Sequence, residues 1–241
     1  MTRTEEGFER LAPPRKGEWR SLFRENVQTF DDYVARCANR ASAARRTFVL
    51  QPLGDLDRAT LERMRDYAAA FFGLEARLAP PLPLPVRAHV GPRDQYNSSI
   101  LLGDLADRAP SDALLYLGVT AADLFARGKK FVFGEGSLDG PAGVCSLARL
   151  EGSDRRALKL LSHEAGHLLS IAHCVTHRCV MQGSNSLEEG DGHPFQLCPE
   201  DLRKLEWNTG VDRLERYRRL RDFYSRAGWT AEAGWTSERL P

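Results

Sequence analysis

At 241 residues, with 42% hydrophobic and 28% charged residues, the chain is long enough for one large or two small cores and has the composition of a soluble protein. A formal net charge of +1 excludes a global pull toward nucleic acid or acidic lipid, and the short basic clusters Arg45-Arg46 and Arg218-Arg219 read as solvated faces. No run of 18 apolar residues is present and Met1 to Arg20 has no apolar signal core, so the expectation is a cytoplasmic protein with neither a membrane nor a nucleic-acid partner.

Met1 to Gly17, with Pro13-Pro14 and many charges, reads as a loose arm. Val27, Phe30, Val34, Cys37, Ala38 and Ala41 fall at helical spacing and predict an amphipathic helix. Thr47 to Leu53 predicts a first strand. Asp55 or Asp57 then starts a helix with Leu61, Met64, Ala68 and Phe71 on one face and Gly73 at its end. Ala79 to Pro85 is a Pro-rich extended connector, followed by a strand from Val86 to Val90. Asn97 or Ser98 caps a helix through Leu101 and Leu105, and Ala113 to Val119 is an apolar strand. Thr120-Ala-Ala-Asp123 has the form of a capping box. Lys130 to Phe133 predicts a strand, Gly134 to Gly143 a Gly-rich loop, and Val144 to Leu150 a further strand. Ser153 or Asp154 caps a helix with a core face of Leu158, Leu161, Ala165, Leu168 and Leu169. Pro199 opens a helix through Trp207, a last helix carries Val211, Leu214, Tyr217, Leu220 and Tyr224, and the tail from Trp229 reads as frayed. Strands and helices alternate up to the 153–169 helix and only helices and loops follow. The expected organisation is an arm and helix over 1–46, one α/β domain over 47–228, and a tail over 229–241.

The chemistry concentrates in one stretch. His163-Glu164-Ala165-Gly166-His167 is H-E-x-x-H, with His173 six residues further on. Two His four apart on a helix point the same way and can grip one metal ion, and His173 joins them if the helix stops soon after His167 and the chain turns back. Zinc on three neutral imidazoles keeps a fourth position open for water. Glu164, beside the ligand face, would take that water's proton as it attacks a peptide carbonyl and later hand a proton to the leaving amine. Five of the six His lie between His163 and His193, and Cys174, Cys179 and Cys198 lie in or just after the same stretch. Such a concentration of soft ligands marks a zinc region, whereas Cys37 and Cys145 read as plain buried thiols. Met181 follows the third His closely enough to form an apolar floor beneath the zinc, or simply to fill core.

Taken together, H-E-x-x-H-x-x-x-x-x-H-C-x-x-x-x-C-x-M, then Cys198-Pro199 and Leu202-Arg203-Lys204-Leu205, resembles the archaemetzincins. The likeness extends upstream to Leu117–Thr120, Asp123-Leu124, Phe131–Glu135 and Ser146–Leu150, and covers about residues 47 to 225. It implies a metzincin-type zinc metallopeptidase acting on peptides or proteins. The implied fold is an α/β (α+β), zincin/metzincin-like mixed β-sheet with an active-site helix and a C-terminal helical subdomain. It also implies a catalytic zinc on His163, His167 and His173, Glu164 as general base, Met181 as the Met-turn residue, and 144–150 as the edge strand that pairs with an extended substrate. A second, structural zinc on four Cys is implied as well, with Cys174, Cys179 and Cys198 matching three of them. Two departures stand out. Ser170 replaces a Gly that lets the family's chain leave the helix in a left-handed conformation, and a non-Gly residue there costs roughly 1–2 kcal/mol. Asp201 occupies the fourth Cys position, where it can bind zinc or simply favour a helix N-terminus, with His177 and His193 as competing fourth ligands. Two other classes share these residues. A zinc-bearing peptide-binding module would have no use for Glu164, and a redox or metal sensor would need the Cys cluster to be unsaturated.

Overall fold

The computed structural model describes residues 8–241. Residues 1–7, where the expected loose arm begins, lie outside the described residues. In chain order the elements are α1 (Trp19–Leu22), α2 (Phe30–Arg36), β1 (Thr47–Leu53), α3 (Arg58–Phe72), β2 (Glu75–Leu78), β3 (His89–Val90), β4 (Gln95–Asn97), α4 (Ser98–Arg108) and β5 (Ala113–Thr120). Then follow β6 (Leu124–Phe125), β7 (Gly134–Gly136), β8 (Ala142–Ser146), α5 (Asp154–Leu168), α6 (Leu187–Asp191), α7 (Pro199–Thr209), α8 (Arg213–Arg226) and α9 (Thr230–Ser237).

Every residue of β5 is buried, and so is every residue of β1 after Thr47. Unbroken apolar runs of this kind belong to strands covered on both faces. The main sheet has the order β2-β1-β5-β8-β7, parallel throughout except for β7, which pairs antiparallel with β8 and forms the edge. Side chains alternate between faces. Phe48, Leu50, Leu115 and Leu117 enter the larger core with residues of α3, α5, α7 and α8, while Val49 and Tyr116 face Leu101 and Leu105 of α4. The family-type fold, a mixed sheet with a central helix and helices at the C-terminal end, is the one observed.

Several local expectations change. The strand expected over 144–150 is β8, which starts at Ala142, ends at Ser146 and lies inside the sheet; the edge is β7, within the expected Gly-rich loop. Thr120 and Asp123 cap no helix. Thr120 Oγ1 accepts the Ala122 N–H, and the Asp123 carboxylate is taken by Arg149 and Gln95. Residues 86–88 form a 3-10 turn, so the strand there shrinks to β3. The helix expected from Val27 to Ala41 is the shorter α2, opened by a Thr29–Asp32 capping box. The start of the arm is not loose where it is described: the Leu11 N–H bonds Thr176 O, and the Arg178 N–H bonds Glu9 O. The tail folds as α9, with Trp229 stacked on Tyr224 and Trp235 edge-on to Tyr217.

The exit from α5 positions the site. Ser170 has φ of +63°, the Ile171 N–H reaches back to Gly166 O, and the Ser170 N–H reaches His167 O. This is a Schellman closure with Ser in the left-handed position usually given to Gly. The hydroxyl gives the serine a use there. Its Oγ accepts from the Ala38 and Asn39 amides and donates to Leu138 O. Ser170→Ala keeps the strain and strips the buried Asn39 amide of its partner, an expected loss of about 1–3 kcal/mol. Ser170→Gly relieves the strain and should unfold nearer to wild type in a denaturant titration. A Ser170→Ala midpoint equal to that of wild type would show that the hydroxyl contributes nothing.

Candidate metal centres

The Ser153 side chain caps α5 by accepting the Arg156 N–H, and Leu158, Leu161, Ala165 and Leu168 pin the helix to the core. His163 and His167 then project from its opposite side into a cavity of about 480 Å³, and the turn at Ser170 returns the chain so that His173 meets them there. The His163 and His167 Nε2 atoms lie 3.1 Å apart, and one ligand nitrogen from each of the three imidazoles lies within 4.8 Å of the others. Each Nδ1 faces an acceptor. His163 donates to Val180 O at 3.0 Å, His167 to Ile171 O at 2.8 Å, and His173 to Glu25 Oε1 at 2.7 Å. A carbonyl oxygen only accepts, so the proton sits on Nδ1 and Nε2 is left as the lone-pair donor. Burial also keeps His163 and His167 neutral: it pulls His163 well below the usual imidazole range and His167 down to about 4, with the neighbouring His adding to both. The donor set fits zinc, because two nitrogens bonded to a tetrahedral ion at 2.0–2.1 Å stand roughly 3.3 Å apart.

Glu164 is 6% exposed and lies against the edge strand. A Cβ on Gly134 would sit 2.5 Å from its carboxyl carbon, and one on Gly136 would sit 3.0 Å from His167 Cβ. Both glycines of β7 therefore make room for the base and a ligand. Burial, with some help from the Glu135 carboxylate, pushes the Glu164 carboxyl up to about 8. Glu135 is in turn held by the hydroxyls of Ser98 and Ser99 at the start of α4. Met181 is fully buried, and its Sδ lies where a Cβ on Gly166 would be, 2.3 Å away. The thioether thus packs against α5 beside the histidine face, and the Met181 carbonyl accepts the Cys174 N–H at 2.8 Å.

A second group is buried behind the first. Cys174 and Cys198 Sγ are 3.7 Å apart, and Asp201 Oδ2 is 3.3 Å from both Cys179 and Cys198 Sγ. Two sulfurs on a tetrahedral zinc at about 2.3 Å would stand roughly 3.8 Å apart, so this group fits as well. Cys198 is the N-cap of α7 and Pro199 its first residue, which places Asp201 one turn in, facing the sulfurs. His177, bonded to Thr176 Oγ1, and His193, in the cavity of the three imidazoles, lie outside the group. The amides of Cys198 and Met181 point at Cys179 Sγ, and that of Asp201 at Cys198 Sγ. Burial pushes the Cys179 thiol well up and Asp201 up to about 6. Three thiols and a carboxylate so enclosed ionise together only with a cation among them. Lys204, part of the family-like motif but given no role from the sequence, supplies part of that compensation, with its Nζ 2.8 Å from Asp201 Oδ1 and both side chains 3% exposed. Its helical i,i+3 spacing from Asp201 was the available signal. Cys37, half-buried near Leu169 O, and Cys145, buried in the core, join neither group.

Comparison with known proteins gives a consistent picture. A profile of Peptidase family M54 matches residues 101–207. The chain is 34% identical to an archaemetzincin of Methanocaldococcus jannaschii over 168 residues, which cover 65% of this chain and 91% of that one. It is 29% identical to archaemetzincin-2 of Rattus norvegicus, over 88% of this chain and 74% of that one. The crystal structure of an archaemetzincin from Methanopyrus kandleri superposes with a TM-score of 0.62 at 28% identity, over 71% of this chain and 99% of that one.

Proposed function

The chain belongs to the archaemetzincin family of zinc metallopeptidases, and from that premise we propose that His163, His167 and His173 hold the catalytic zinc and that Glu164 is the general base. The observation that carries the reading is the convergence of three imidazoles, each with Nδ1 committed to an acceptor. A zinc held by His163, His167 and His173 would supply Lewis acidity, making a water more acidic, from a pKa of 15.7 to about 7, and polarising a carbonyl oxygen. Glu164 accepts that water's proton on a carboxylate oxygen, holds it in the low-dielectric pocket behind β7, and delivers it to the departing amine nitrogen. A carboxyl whose surroundings push it up to about 8 retains a proton well, and beside a dication the same carboxyl ionises more readily, which suits a group that must do both.

β7 pairs on one side only, with β8, and its residues line the cavity. An extended peptide or protein segment can add to its open edge, which passes to β7 the role expected of 144–150. Met181 serves as the apolar floor. Cys174, Cys179, Cys198 and Asp201 hold a second, structural zinc. A reducing compartment such as the cytoplasm suits this reading, because Cys174, Cys179 and Cys198 must stay available as thiolates to hold the second zinc.

The test is cleavage of a peptide library by metal-replete protein with and without a chelator. Cleavage that the chelator abolishes and added zinc restores is the expected result. Zinc-loaded protein that binds peptides and cuts none would favour a peptide-binding module instead.

A further inference from the structure

Two of the three imidazoles are oriented by backbone carbonyls of their own neighbourhood, Val180 and Ile171. The third is oriented by a side chain from the other end of the chain. Glu25 lies in the irregular stretch between α1 and α2, 148 residues from His173, and its Oε1 accepts the imidazole Nδ1–H at 2.7 Å. Its other oxygen accepts the Trp19 indole N–H at 2.9 Å, so the carboxylate is held at both ends. Trp19 is in turn seated. Its ring stands edge-on to His173 with centroids 5.1 Å apart and covers Gly183, where a Cβ would come within 2.6 Å of the ring. Its backbone N–H donates to Glu189. Three residues past Glu25, Gln28 grips the return loop itself, donating to Ser170 O at 2.9 Å and accepting the Ala172 N–H at 3.0 Å.

We propose that Glu25 is a positioning residue of the metal site, contributed by the N-terminal segment, and that the site reaches full zinc affinity only when that segment is docked. The inference rests on the assignment of His163, His167 and His173 as zinc ligands. The physical grounds are three. The carboxylate fixes the His173 tautomer and ring angle, leaving Nε2 for the ion. It makes the imidazole a more basic donor than a carbonyl would. It also brings a negative charge next to a site whose own three ligands are neutral. The side chains of Glu25 and His173 are 28% and 17% exposed, which leaves the pair partly shielded from solvent.

The experiment compares full-length wild type, Glu25→Ala, Glu25→Gln and Trp19→Phe. Zinc affinity is measured by chelator competition, and the visible absorption of the cobalt-substituted protein separates a nitrogen-ligated site from a sulfur-ligated one. Glu25→Ala should weaken zinc at the histidine site by about 10–100-fold, leave the sulfur-ligated metal in place and change the cobalt spectrum of the histidine site. Glu25→Gln, which keeps an acceptor at Nδ1, should recover part of the loss. Trp19→Phe keeps a ring over Gly183 but frees the second carboxylate oxygen, and should give a smaller loss in the same direction. His167→Ala is the control and should lose the histidine-site ion altogether. Wild-type affinity and an unchanged spectrum in Glu25→Ala, with the ion lost in His167→Ala, overturn the role of Glu25 alone. Retention of the ion in His167→Ala overturns the zinc assignment and the role of Glu25 with it.

Discussion

Glu164→Gln should retain the full zinc content of wild type and cleave peptides 10²- to 10⁴-fold more slowly, a loss of about 3–5 kcal/mol of transition-state stabilisation. The two halves of that outcome have separate causes. Glu164 is outside the group of nitrogens that converges, so its amide leaves the ligand set untouched. The amide cannot take a proton from water, and among the described residues lining the cavity the other carboxylates are already engaged, Glu135 by Ser98 and Ser99 and Asp191 by Arg156. The measurement is kcat on one cleaved peptide together with metal analysis of the same preparation. Equal rates for the variant and wild type would remove Glu164 from the mechanism.

Metal-replete wild type should contain two zinc ions per chain and Cys179→Ser one, with a large fall in thermal stability. Cys179 Sγ is fully buried and receives two backbone amides, so the substitution removes a ligand from the middle of the cluster. It leaves Cys174, Cys198 and Asp201 enclosed with only Lys204 to balance them. Structural zinc sites can supply 10 kcal/mol or more of apparent binding free energy, but here a sizeable apolar core persists without it. A net loss of about 5 kcal/mol, or roughly 10–20 °C in Tm for a chain of this size, is the expected scale. One zinc in wild type, with Cys174, Cys179 and Cys198 freely titratable, would contradict the second site.

What was legible in the sequence was local. The spacing of His163, His167 and His173 needs only helix geometry and a turn, whereas Asp201 was singled out only by the resemblance, as the residue at the family's fourth Cys position. The long apolar strands β1 and β5 were plain because burial on both faces leaves an uninterrupted run. The edge strand was not, since Gly134-Glu135-Gly136 has the composition of a loop; it is extended by pairing with β8, and Glu164 and His167 leave room there only for glycines. The Thr120–Asp123 box failed because Arg149 and Gln95 compete for its carboxylate. Glu25 and Gln28 carry no local signal at all, for their partners lie more than 140 positions away.

That separation bears on how the chain is made. At a synthesis rate of about 5–20 residues per second, the 148 positions between Glu25 and His173 correspond to roughly 7–30 s during which the emerging N-terminal segment has nothing to dock on. Through that interval Trp19 and Tyr33 lack their eventual partners within residues 169–183. Contacts so distant in sequence close slowly and after the local ones, because the ordering entropy is lost before any bond repays it. The docking of Glu25 therefore follows the local steps of folding, and a ribosome-bound chain carries an incomplete metal site until His173 has emerged.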